Sequence, residues 1–218
     1  MSLTDHPVKK AMAALEREPA VNLHDSDVHL QFDDGTMTVS GEVPNVRAKK
    51  RALICIASLP EVSGIVDRLH IRPAETLGDD AIRDHLLARF SEESSLHGLD
   101  ISVEVQKGII TLDGSVPSLS HKRLAGVLAW WTRGRRDVIN GLEVSPAQQD
   151  HAEEIAEAVR LVLEKDPFID AGRIKVGARH STVSLAGHVA NAVERDMAED
   201  DAWYTFGVDD VINHLHVL

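Results

Sequence analysis

Ile110-Thr111-Leu112-Asp113-Gly114-Ser115-Val116 is one of three renderings of a single pattern in this chain. The others are Met37-Thr38-Val39-Ser40-Gly41-Glu42-Val43 and Val183-Ser184-Leu185-Ala186-Gly187-His188-Val189, each 73 residues from the next. The register extends well beyond the motif. Val28, Ile101 and Ile174 are in phase, as are Ala52, Ala125 and Ala198, and Leu69, Leu142 and Leu215. A fixed period of this kind marks one structural unit copied in tandem. The expected units are residues 1–73, 74–146 and 147–218. Chemistry needs unlike groups converging in one place, so three similar copies suit holding or binding better.

Each unit reads as α-β-β-α-β. Ile82, Leu86 and Phe90 make one apolar helical stripe, and Ile155, Val159 and Leu163 repeat it, with Pro167 as a stop. The first copy is looser, with Val8, Met12 and Leu15. Val28, Leu30 and Phe32 then alternate with His29 and Gln31, and a second alternating run follows a two-residue turn. That turn is Asp34-Gly35, Lys107-Gly108 and His180-Ser181, so the third hairpin lacks the glycine that positive φ favours. Gly41, Gly114 and Gly187 fall on the inward face, where the expectation is a helix packed close to the sheet. Second helices are expected over 46–59, 119–132 and 192–205, followed by strands ending at Ile71, Val144 and Val217. Polar alternation puts the helices on one sheet face and leaves the other wet. The expected fold is therefore α+β: three tandem two-layer units, each a three-stranded mixed sheet with two helices on one face. Arg72–Asp79 and Ser145–Asp150 read as linkers.

The net charge of −12 is uneven: −1, −3 and −8 over the three units in order. Such a chain is a poor candidate for non-specific nucleic-acid binding, where phosphate neutralisation supplies most of the affinity. The twelve histidines would relieve the charge near pH 5–6. One cysteine, Cys55, allows no internal disulfide, and its neighbours Ile54 and Ile56 suggest an inert buried thiol. The first seven residues lack the basic and apolar regions of a secretory signal, and no apolar run could span a bilayer. A cytoplasmic location, with peripheral membrane association as an option, is the expectation.

An α-β-β-α-β unit bearing the glycine motif above and ending in Val138-Ile139-Asn140-Gly141-Leu142-Glu143-Val144 or Val211-Ile212-Asn213-His214-Leu215-His216-Val217 resembles the BON domain. The resemblance covers nearly the whole chain, as three copies. Two departures stand out. Asp67 replaces the asparagine of the other units, and Gly134-Arg135 stands where the third unit keeps Gly207-Val208. The resemblance implies a non-catalytic module, without cofactor, that associates with phospholipid membranes or envelope components under osmotic stress. It also admits a chaperone-like or protein-interaction scaffold, or a sensor of potassium or divalent cations.

Two stretches are candidate contacts for phospholipid or a protein partner. Trp130, Trp131, Arg133, Arg135 and Arg136 combine interfacial aromatics with arginines. Trp203 and Tyr204, at the matching places, favour instead a repeated packing interface between the second and third units. Arg47, Lys49, Lys50 and Arg51 open a helix and read as a solvated face unless a lipid or acidic partner meets them. The acidic zone of Glu194, Asp196, Glu199, Asp200, Asp201, Asp209 and Asp210 has no EF-hand spacing, and Asp201 sits where Cys55 and Leu128 sit on an inward stripe. His188, His214 and His216 share the wet face, and whether their strands adjoin depends on strand order. No metal site and no catalytic motif are assigned.

Overall fold

The computed structural model describes residues 5–148 and 151–218. The expected linker at Ser145–Asp150 thus ends in two residues outside the described ones. The chain forms two compact units, residues 1–72 and 73–218, and the larger contains two copies of the repeat.

In the first unit, helix α1 (Asp5–Leu15) precedes strands β1 (Asp27–Asp33) and β2 (Thr36–Val43). Helix α2 (Val46–Ala57) and strand β3 (Gly64–Ile71) complete it. The central strand, β2, is antiparallel to β1 and parallel to β3, so the sheet is mixed. A parallel neighbour needs a crossover, and α2 supplies it. Ala11 and Leu15 of α1, Ala52 and Ile56 of α2, and Met37, Val39 and Leu69 of the sheet are fully buried together, while His29 and Gln31 on the other face are exposed.

The second copy has α3 (Asp79–Glu92), β4 (Asp100–Gln106), β5 (Ile109–Val116), α4 (Leu119–Trp130), β6 (Asp137–Asn140) and β7 (Glu143–Val144). The third has α5 (Ala152–Lys165), β8 (Ile174–Arg179), β9 (Thr182–Val189), α6 (Ala192–Tyr204) and β10 (Asp210–Val217). Both repeat the mixed pairing: β5 lies between β4 and the parallel β6 and β7, and β9 between β8 and the parallel β10. The last strand of the second copy is interrupted, yet the Gly141 amide still donates to the Leu112 carbonyl at 2.8 Å. The fold is thus α+β in three repeated units.

The motif glycine has a different cause from the one its inward position suggested. Gly41, Gly114 and Gly187 adopt φ of +121°, +126° and +137°. A Cβ there would lie 1.7, 2.1 and 2.0 Å from the carbonyl oxygens of Asp27, Asp100 and Arg173. The first two oxygens belong to the start of the adjacent hairpin arm and the third to a single 3-10 turn, Ala171–Arg173, directly before it; none belongs to one of the packed α-helices. The glycine is required because only a residue without a Cβ lets the two arms meet there.

The hairpin turns behave as their composition dictates. Asp34-Gly35 and Lys107-Gly108 both carry positive φ, whereas in the third turn His180 does and Ser181 does not. Each turn also anchors the third strand. The carbonyls of Gly35, Gly108 and Ser181 accept from the amides of Ser63, Arg136 and Asp209 at 2.8, 2.7 and 2.9 Å.

A second recurrent tie joins helix to strand. Asn140 Nδ2 donates to the Lys122 carbonyl at 2.8 Å, and Asn213 Nδ2 to the Arg195 carbonyl at 3.4 Å. The Oδ1 of each accepts from the amide two residues on. Asp67 keeps that second bond, to the Leu69 amide at 2.9 Å. A carboxylate cannot donate, so Asp67 instead meets the Lys49 ammonium at 3.0 Å. The departure at position 67 is thus offset by a lysine at the equivalent helix position.

Candidate cleft between the second and third units

Helices α4 and α6 bring their C-terminal ends together. Trp130 stacks on Tyr204, with ring centroids 5.5 Å apart and planes 9° from parallel. Trp131 Nε1 donates to Asp201 Oδ1 at 2.7 Å. Arg135 donates to the Tyr204 hydroxyl at 3.1 Å. Lower on α4, the buried Arg123 donates through Nε to the Phe206 carbonyl at 3.0 Å, and the Lys122 ammonium sits 4.6 Å from the Phe206 ring centroid. Both tryptophans are half-buried, and Trp203 is only 1% exposed. Trp130, Trp131 and Tyr204 are therefore packed between the two units, as the repetition of aromatics at 73 residues suggested.

The packing leaves a cleft of about 690 Å³. Its walls include Leu128, Trp130, Trp131, Met197 and Tyr204. At its rim stand Arg133, 80% exposed, and Phe168, 74% exposed. The Lys165 ammonium closes another part of the wall by bonding Glu93 at 2.7 Å, from the third unit to the second. Burial pushes Glu93 up, but its bonds with Lys165 and Ser95 outweigh that and hold it below the usual range. Burial, with Asp200 opposing ionisation and Arg135 favouring it, pushes the Tyr204 hydroxyl to about 12, so it stays neutral. Phe168 escaped the sequence reading. Pro167 forces the preceding Asp166 out of helical geometry, which turns the chain and leaves Phe168 outside the core.

The second basic stretch is not one open patch. On α2, Lys49 is buried against Asp67 and Arg51 bonds Glu18 at 2.7 Å. Arg47 is exposed, Lys50 is half-buried, and Arg136 is half-buried beside Gly108. Cys55 is half-buried rather than buried, with Ile54 exposed beside it, because the stripe of α2 that reaches the core runs through Ala52 and Ile56. Burial raises the Cys55 thiol above its ordinary value. The acidic zone is partly structural: Glu194 is buried and accepts from the amides of Asp170 and Ala190 at 2.9 and 2.7 Å. The strands of the histidines do adjoin. His188 faces His216 across the β9–β10 pair, with ring centroids 6.1 Å apart. Among the described residues, no three His, Cys, Asp or Glu side chains are grouped to hold a metal ion, and no helix is long and apolar enough to cross a membrane.

Osmotically-inducible protein Y of Escherichia coli (strain K12) is 24% identical to this chain over 128 residues, which is 56% of this chain. The match spans 64% of that relative's length. Among solved structures, two of CdsD, titled a structural protein of the Type III secretion system of Chlamydia trachomatis, share 16% identity. They align over 97% of this chain and over 96% and 91% of theirs, with TM-scores of 0.27 and 0.28, too low to denote a common superposition. The BON domain family matches at residues 8–73, 78–146 and 151–218. With three matches that together span nearly its whole length, the chain belongs to the BON domain family.

Proposed function

We propose that the protein is a non-catalytic binding protein whose cleft between the second and third units takes an anionic amphiphile presented by a phospholipid surface. The observation that carries this reading is Arg133 and Phe168, both strongly exposed on the rim of one aromatic-walled cleft. A cation and an apolar ring on the rim of one cleft fit a ligand with an anionic head and a hydrocarbon body, as at a membrane interface. The similarity to an osmotically inducible protein supports a place in osmotic stress. A peripheral location, without a spanning segment, goes with this role.

A second reading has its own support. The tryptophans are engaged in packing, and the chain carries −12 overall, so an anionic bilayer repels it at long range. Both favour a soluble partner, with the protein acting as an interaction scaffold. Flotation with phosphatidylglycerol vesicles and with phosphatidylcholine vesicles separates the two. The lipid reading expects recovery with the anionic vesicles only, reduced several-fold by Arg133→Glu or Phe168→Ser. Absence of flotation with either vesicle would leave the soluble scaffold as the better account.

A further inference from the structure

The cleft wall buries one carboxyl group where the repeat places an apolar side chain. Asp201 of α6 is 2% exposed and occupies the position that Leu128 holds in α4. Its Oδ1 accepts from Trp131 across the interface. Its Oδ2 is buried with no donor in reach. Asp166, just past α5, is also buried and lines the same cleft, where it raises Asp201 by its charge and by a side-chain hydrogen bond; its own Oδ1 accepts from the Phe168 amide at 2.8 Å. Two carboxylates have only acceptors and cannot bond one another, whereas a carboxylic acid can donate to a carboxylate. Two bare charges in this dry place would cost far more than one acid and one anion.

We propose that Asp201 carries a proton donated to Asp166, and that this single proton is a latch on the wall of the cleft, which loosens when the proton is lost. The other charged groups facing the pair are arranged around it. Asp200 lies beside Asp201 on α6, Lys165 and Glu93 form their own pair, and Arg135 is bonded to Tyr204. Arg133 is largely exposed, with its Nε 3.9 Å from Glu75, and Arg89 and Glu92 on α3 line the same cleft. None of these is a donor to Asp201 Oδ2. Burial, opposed by the Trp131 bond and reinforced by Asp166 and Asp200, pushes Asp201 up to about 8. When it ionises, Asp201 keeps its indole donor but loses its bond to Asp166 and is repelled by it. Water must then enter between α5 and α6, behind Phe168.

The latch goes beyond the lipid reading and does not depend on it. The test is a carbon-13 carboxyl NMR titration of the 218-residue chain, with amide hydrogen exchange of α4 and α6 over the same range. Asp201 should titrate above about pH 7, rather than near the usual aspartate value. Amide opening near Trp131 and Asp201 should rise several-fold across that step, beyond the intrinsic pH dependence of exchange. Asp201→Asn can accept from Trp131 and donate to Asp166, so it should abolish the step. A carboxyl that titrates below about pH 5, or a step that persists in Asp201→Asn, would overturn the proposal. If the variant does not fold, the titration of the unsubstituted protein decides alone. A titration at high pH in a protein that binds no vesicle would uphold the latch and reject the lipid site.

Discussion

Asp67 and Gly114 show how single positions hold this repeat together. Asn140 satisfies a helix carbonyl and a strand amide at once, and Asp67 retains half of that and adds an ion pair with Lys49. Asn140→Ala leaves both backbone groups without a side-chain partner and should cost about 1–2 kcal/mol in urea unfolding. Gly114→Ala should cost more, at least ~2 kcal/mol, since a Cβ would press on the Asp100 carbonyl at a φ that alanine resists. An alanine variant as stable as the parent would contradict that packing. The sequence marked both positions by their period. It did not show what they touch, because strand order decides whether Gly114 faces a helix or a neighbouring arm. Asp201 was visible only as a polar residue at an apolar position. Its partners, Trp131 and Asp166, are brought to it by two different helices, and nothing local in the sequence records that meeting.

Helix ends and faces were legible where the pattern is strictly local. Asn45, Ser118 and Asn191 precede the second helices, and each side chain accepts from the amide three residues on, at Ala48, His121 and Glu194. Such a cap is a sequence signal, and it fixes where α2, α4 and α6 begin. Asn191→Ala should lower stability by about 1 kcal/mol, read as a shift in the denaturation midpoint at unchanged m-value. Trp131→Phe is a second test, of the α4–α6 contact. It removes the donor to Asp201 while keeping a smaller aromatic ring, so it should loosen the contact and raise the Asp201 titration further, because the indole bond favours the ionised form. An unchanged titration would contradict the assigned bond. The basic face of α2 was less legible. Adjacency in the sequence groups Arg47, Lys49, Lys50 and Arg51, but Glu18 and Asp67, which take two of them, come from outside the helix.

For the pair of units within residues 73–218, two carboxyl groups give opposite pH signs. Glu93 is held below its ordinary value of 4.5 by Lys165, so its contribution is present above about 4.5 and is lost as pH falls through its lower folded value. Asp201 is raised from 3.8 to about 8, so the folded form binds the extra proton in that window and stability falls as pH rises through it, levelling off above about 8. The inter-unit contact should therefore be firmest near about pH 4–4.5, with thermal midpoints declining on both sides, and Asp201→Asn should flatten the alkaline side alone. The acidic third unit and the histidines add a broader charge effect, which the single substitution separates. Residue-level mapping of a bound lipid tests the cleft as the binding site. Short-chain phosphatidylglycerol, titrated into the isotopically labelled protein, should shift Arg133, Phe168, Tyr204 and their neighbours together, with little change on the His188–His216 face. Shifts confined to that histidine face, or no shifts at all, would contradict the account.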